Sequence, residues 1–382
     1  MKNGVITQLF FTFFLFLFLV AIGLRVGKNI GMIFKKYGIK FVIIGAMIPC
    51  VSMLVMTVFM GTVLKNNQSI SSYEAIGTYA GAMTSTPAYG TALDAAAGID
   101  IASLYQSTDI KGKQDMLNKI DSSLKVEEVE TLTDEQIAAY KTASESGISL
   151  GYTVGFPFGV LVIVILISVL PKIFKIDIDK EMEQFEKELS SVKNSNDKIP
   201  AGKLDFISIG ITVMVGYAVG NITIPLGSIG DFSLGGAGGI LLAALIFSHI
   251  GKIGSLSFRM DDKSLGIMSN MGLTFFMAVV GLRYGYAVIN AFTGSGLILA
   301  VCAIFVEAIA VMAAFFVGRN IFGLNWIILS GAICGGCTSA PGLGAAISSV
   351  GSDEPSTGYG AAQPFAILAN VLLTTIFFSI FL

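Results

Sequence analysis

GAICGGCTSAPGLGAA, residues 331–346, interrupts a chain otherwise composed for lipid, and GAMTSTPAYGTALDAA, residues 81–96, has nearly the same composition. Such a mixture of Gly, Ser, Thr and Pro makes a poor membrane helix. Pro removes an amide donor, and Gly loses more backbone entropy on ordering than any other residue. Irregular backbone at membrane depth is tolerated only where protein buries it or water reaches it. Two such segments in one chain are therefore expected to have a use.

The surroundings establish the class. The 382 residues are 54% hydrophobic and only 13% charged, whereas soluble domains carry about 25% charged residues. Eight apolar runs can serve as spans: roughly 5–24, 41–63, 147–170, 205–222, 234–250, 266–283, 293–318 and 359–382. The first lacks a small-residue cleavage site and reads as a retained helix rather than a signal peptide. A net charge of −2 gives no case for nucleic acid. The lone His249 and the pair Cys334 and Cys337 read as packing residues rather than a metal or redox site, so no cofactor is expected.

Three stretches recur in order. VAIGLRVG (20–27) is echoed by AVVGLRYG (278–285), GAMTSTPAYGTA (81–92) by GGCTSAPGLGAA (335–346), and GYTVGFPFG (151–159) by GYGAAQPFA (358–366). Two related halves are implied: a first membrane repeat over 1–171 with a polar insertion at 98–146, and a second over 204–382. An amphipathic linker, 172–203, joins them. Lysine and arginine near the span ends put the loop with Arg25, Lys28, Lys35, Lys36 and Lys40 in the cytoplasm, together with the linker bearing Lys172, Lys175 and Lys180. Three membrane segments lie between those loops. An odd number of crossings cannot join two loops on one side, so 74–97 is expected to enter and leave on one face. The same count makes 325–348 enter from the opposite face. The expected fold is all-α integral membrane: two inverted-topology repeats, about eight spanning helices and two re-entrant or broken helix hairpins.

Pro87 and Pro341 are expected to break their helices, and a broken helix offers amide donors and a favourable dipole to an anion. Thr84, Ser85, Thr86, Thr338 and Ser339 add hydroxyls beside them. The paired tips are thus the expected binding site for a small anionic or zwitterionic solute. Glu307, within an apolar run, is a candidate for coupling to H⁺ or for pairing with a neighbour. Arg25 and Arg283 occupy matching helix ends and either snorkel or hold a carboxylate. Asp94, closing the first hairpin, is a candidate cation ligand or a solvated acid. Pro157, Gln363 and Pro364 sit where the following helices could kink beside the site.

FLFLVAIGLRVGKNIGMIFKKYGIK, the doubled T-S-x-P hairpin and the Gly-Tyr…Pro-Phe helices together resemble the aspartate–alanine exchanger family of bacterial secondary transporters. The resemblance covers most of the chain outside the insertion. It implies exchange or export of small carboxylates such as aspartate, alanine, glutamate or succinate. It places the family's polar hairpin residues on Thr84, Ser85, Thr86, Pro87, Thr338, Ser339 and Pro341. Such proteins usually open with two more helices, counterparts of 205–222 and 234–250, and often carry soluble regulatory domains where this chain has a short linker. The expected protein is a multi-pass transporter of the bacterial inner membrane rather than an enzyme, working by alternating access, with exchange or H⁺ or Na⁺ coupling. A homodimer is compatible with that reading. An ion-coupled antiporter or channel, and a membrane subunit that needs a partner, are the alternatives.

Overall fold

A computed structural model describes residues 8–64, 70–191, 202–225, 231–232, 234–291 and 296–381. Fifteen helices dominate them, and the strands are two-residue pairs, Ile224–Pro225 with Asp231–Phe232 and Lys252–Ile253 with Leu256–Ser257. Among the described residues, four helical stretches are long and apolar enough to cross a membrane, against the eight spans expected: Lys35–Thr62, Asp134–Ile173, Gly296–Ile321 and Pro355–Phe378. Shorter apolar helices accompany them, among them Leu9–Arg25, Phe206–Gly220 and Gly235–Ile250.

The first half comprises α1 (Gln8–Val26), α2 (Ile30–Phe59), α3 (Ser72–Ala82), α4 (Thr86–Gly98), α5 (Ile101–Ser107), α6 (Ile110–Ile120) and α7 (Asp134–Ile173). The linker forms α8 (Ile178–Ser191). Then come α9 (Phe206–Gly220), α10 (Gly235–Ile250), α11 (Asp262–Ala291), α12 (Gly296–Phe316), α13 (Trp326–Gly336), α14 (Ala340–Val350) and α15 (Pro355–Phe381). Both α2 and α12 end in a π-helical turn, at Met60–Leu64 and Val317–Ile321.

The insertion is less separate than its composition suggests. Thr133 and Gln136 form a capping box that starts α7 well before the apolar run begins. The helix therefore has 40 residues, or roughly 60 Å at ~1.5 Å per residue, about twice a bilayer's hydrocarbon thickness. The short helices α5 and α6 pack against this extension. Lys119 of α6 lies over the rings of Tyr73 and Tyr140, 5.0 and 5.5 Å from their centroids.

Close backbone approaches reveal the helix directions. A Cβ on Gly77 of α3 would stand 2.0 Å from the Ile148 carbonyl oxygen, one on Gly81 2.6 Å from that of Tyr152, and one on Gly159 2.1 Å from that of Ala82. Residue numbers rise together, so α3 runs parallel to α7. Helix α4 runs the other way: Thr86 lies by Tyr152, Tyr89 Oη is 2.9 Å from Ser149 Oγ, and Lys141 Nζ donates to the Ala97 carbonyl at 2.9 Å. Helices α3 and α4 are thus the two arms of a hairpin based at the insertion end.

In the second half, α13 is parallel to α15, with Gly331 against Pro355 and Gly335 against Tyr359. Helix α14 returns the chain to Pro355, beside the start of α13. This second hairpin is based at the opposite end of the bundle, where the linker helix docks. Glu181 of α8 accepts two bonds from Arg319, at 2.9 and 3.0 Å, and one from the Trp326 amide at 2.7 Å. It thereby caps α13 from outside, and Glu188 on the same helix pairs with Lys36 of α2 at 2.8 Å. Each hairpin crosses over to the other half: α13 packs on α2, and α3 packs on α12.

Candidate functional site

The hairpin tips have one design. In each, the last turn of the first arm closes with a pair of bonds: Thr84 N–H to Gly81 and Ser85 N–H to Ala80, then Thr338 N–H to Gly335 and Ser339 N–H to Cys334. This is the Schellman arrangement, which requires a left-handed residue just past the helix and normally takes Gly there. Both tips instead place a threonine in it, at φ +48° for Thr84 and +51° for Thr338. A β-branched residue in that conformation costs about 1–2 kcal/mol. Thr84 and Thr338, rather than the prolines, mark the breaks. Pro87 and Pro341 lie in the first turn of the second arm, where a missing amide hydrogen is harmless.

The strained threonines face each other. Thr84 Oγ1 donates to the Cys337 carbonyl at 3.1 Å, and Thr338 Oγ1 donates to the Met83 carbonyl at 2.8 Å. Ser85 and Ser339 have a different task. Both are fully buried, and their hydroxyls accept the amides of Ala88 and Gly342 at 3.3 and 3.2 Å as N-caps. Serine caps the third amide of each return arm and proline has none at the second, so the first, that of Thr86 and of Ala340, lies outside the capping.

A cavity of about 610 Å³ reaches the tips. Thr84, Thr86, Pro87, Thr338, Ala340 and Pro341 line it, but Ser85 and Ser339 do not. Its other walls come from α1 (Phe11, Thr12, Phe16), from the α9–α10 junction (Tyr217, Asn221, Gly235, Gly238), from Phe276 of α11, and from Tyr359 and Gln363 of α15. Gln363 Nε2 donates to Tyr359 Oη at 3.1 Å, and Gln363 Oε1 is turned towards Gly238. Sequence reasoning placed Gln363 next to a kink but missed Tyr359 and Asn221. The signal was the i, i+4 spacing of Tyr359 and Gln363, which aligns two polar groups on one face of an apolar helix.

A second cavity of about 490 Å³ lies between α7, α11 and α14, towards the linker end. Ser168, Lys172, Ser348 and Ser349 supply its polar lining, and Leu273 and Gly344 close its inner wall. Helix α14 therefore separates two cavities, one at its N-terminal tip and one beside its length.

The remaining sequence candidates are dispersed. Arg25 pairs with Asp353, in the turn that joins α14 to α15, and lines neither cavity. Glu307 is wholly buried, and neither carboxyl oxygen has a hydrogen-bond partner among the described residues. The side chains of Arg283 and Asp94 lie outside the described residues. All four cysteines are free thiols, and no group of residues suited to a metal ion occurs among the described residues.

The family profile described as "Predicted Permease Membrane Region" (Asp-Al_Ex) matches residues 2–172 and 208–379, nearly the whole chain. The chain belongs to this family. Together with the apolar helices, that makes it a multi-pass membrane protein of the permease type. It is 34% identical over 168 residues to an uncharacterized transporter of Bacteroides thetaiotaomicron, covering 44% of this chain and 32% of that one. It is 35% identical over 168 residues to another from Bacteroides fragilis, with the same coverage. Over 142 residues it is 34% identical to a putative transport protein of Klebsiella pneumoniae, covering 36% of this chain and 25% of that one. The chain thus spans about a third of the length of the curated relatives it matches. No solved structure matches it.

Proposed function

We propose that this protein is a secondary transporter of the bacterial inner membrane that moves a small carboxylate or amino acid by alternating access. The observation that carries the proposal is the reciprocal hydrogen bonding of Thr84 and Thr338 at the wall of the larger cavity. Two strained residues, one from each hairpin, hold each other where polar backbone is exposed to a cavity. Such a contact is easily exchanged for contacts with a solute.

In this reading the halves are inverted repeats and the hairpins are re-entrant. The solute carboxylate binds between the amides of Thr86 and Ala340, where two helix N-termini converge. Thr338 and Thr86 contribute hydroxyls, and Tyr359 and Gln363 hold the solute's other end. Ser85 and Ser339 support the tips without touching it. The larger cavity is the outward vestibule. The smaller one, with Lys172 at its margin, becomes the inward route when α14 shifts away from Leu273. The names of the relatives support transport, and the resemblance to aspartate–alanine exchangers supports a carboxylate.

The test is uptake of labelled aspartate, alanine, glutamate and succinate into proteoliposomes, preloaded or empty, with wild type and a Thr84→Ala/Thr338→Ala variant. Uptake that requires preloading and disappears in a monodisperse variant is the expected result. Equal flux in both would sink the assignment of the tips as the site.

A further inference from the structure

We propose that Glu307 is a proton-binding site at the centre of the bundle, whose proton is held while the hairpin tips touch and released when they part. The transport reading above gives that proton its use. Glu307 is the twelfth residue of the 21-residue helix α12, so it sits near mid-depth. Its side chain is 0% exposed, and both oxygens lack a hydrogen-bond partner among the described residues. A bare carboxylate without donors in such a place is prohibitively costly, whereas a neutral acid is tolerable. A hard cation needs several oxygen ligands, and no group of residues suited to a metal ion occurs among the described residues.

The surroundings connect this acid to the tips. The titratable group set directly against Glu307 is the Cys337 thiol on α13, with Cys334 on the same helix within its electrostatic reach. The Cys337 thiol is the polar group set against the carboxyl group, and the Cys337 carbonyl accepts the Thr84 hydroxyl. The residue that shelters Glu307 is thus the residue through which the two hairpins meet. The helices packed on α12 are α2, α3, α7, α11 and α13. Charges on α2 (Lys35, Lys36, Lys40) lie in its first eleven residues and Glu74 in the first turn of α3; those on α7 lie in its first twelve residues (Asp134, Glu135, Lys141, Glu145) or its last turn (Lys172), and α13 has none. Helix α11 carries Asp262 and Lys263 in its first turn, and its Arg283 has a side chain outside the described residues. Parting of the tips moves Cys337 and admits water. The O–H bond of the acid then breaks, the proton goes to that water, and the carboxylate is left hydrated.

The experiment is infrared spectroscopy of the full chain in phosphatidylethanolamine–phosphatidylglycerol vesicles, with ¹³C-labelled glutamate, for wild type and Glu307→Gln. The same vesicles, loaded with a pH dye, are used to follow proton movement during a gradient of labelled aspartate or succinate. The expected result is a carbonyl band of an unbonded carboxylic acid near neutral pH that titrates in the folded wild type and is missing in Glu307→Gln. Solute-driven proton movement falls from roughly tenfold over background to background in the variant, which retains solute exchange. Absence of the acid band in folded wild type overturns the proposal, as does undiminished proton movement in Glu307→Gln. A titrating band in a wild type that moves none of the solutes leaves the proton site standing and defeats the transport reading instead.

Discussion

Thr84 and Thr338 each donate a hydrogen bond to the carbonyl of the residue just before the other, so the two hairpins clasp through a reciprocal pair of bonds at 3.1 and 2.8 Å. Both threonines are strained, at φ +48° and +51°. Glycine would relieve that strain without filling the role, because it has no hydroxyl. The strain and the clasp therefore make opposite demands on substitution.

Thr84→Gly removes about 1–2 kcal/mol of backbone strain along with a hydrogen bond of similar worth, so its stability should stay near wild type. Thr84→Val keeps the strain, loses the bond and leaves the Cys337 carbonyl without its donor, which should cost about 1–3 kcal/mol. Thermal unfolding in detergent separates the two, and equal losses would contradict the clasp. A cycle combining Thr84→Val with Thr338→Val should show a coupling of about 0.5–1 kcal/mol, since the bonds share one interface.

Glycine positions make a second, sharper contrast. A Cβ on Gly331 would lie 1.6 Å from the Pro355 carbonyl oxygen, whereas one on Gly90 has nothing within 4 Å. Gly331→Ala should destabilise by about 1–3 kcal/mol or more by driving α13 from α15. Gly90→Ala, at a half-buried position inside α4 with open space for the added methyl, should stabilise by about 0.5–1 kcal/mol. Melting temperatures that moved in the same direction for both would contradict the helix pairing.

The Arg25–Asp353 pair is unequal, with side-chain exposures of 37% and 8%. Arg25→Ala strands a buried carboxylate and should cost about 1–3 kcal/mol, less than a fully buried pair because water still reaches the arginine. Asp353→Asn should cost less. Burial holds the Asp353 carboxyl above its usual range, against the pull of Arg25. A raised carboxyl pKa means that its contribution to stability is complete below the unfolded value and declines as pH rises through the folded one. Stability measured across that window should decline in wild type, and the decline should shrink in Asp353→Asn.

Glu181 ties the linker helix to the base of the second hairpin through Arg319 and the Trp326 amide. Glu181→Ala should expose α8 to limited proteolysis, and the exposed Glu186→Ala should not. Equal protection of both variants would show that apolar contacts such as those of the buried Phe185 hold the helix unaided.

Much of this architecture was legible in the chain. Lipid-compatible composition and the T-S-x-P recurrence marked an apolar, helical chain with two breaks at Thr84 and Thr338, because hydropathy and turn chemistry are local properties. The capping boxes at Ser71–Glu74 and Thr133–Gln136 are equally local, and the second could have warned that α7 starts inside the polar insertion. The division of labour at the tips was not legible. Two adjacent hydroxyls look alike in sequence, but Ser85 caps its own helix while Thr84 reaches a carbonyl 253 positions away.

The sequence by itself determined that this is a multi-pass membrane protein of the permease family with two small-residue hairpins, since periodicity, charge and motif are carried by neighbouring residues. Only the tertiary structure decided that the hairpins meet, that Tyr359, Gln363 and Asn221 share their cavity, that Arg25 answers Asp353, and that the buried Glu307 lies against Cys337. Those relationships join residues far apart in the chain, and packing, which no local pattern encodes, brings them together.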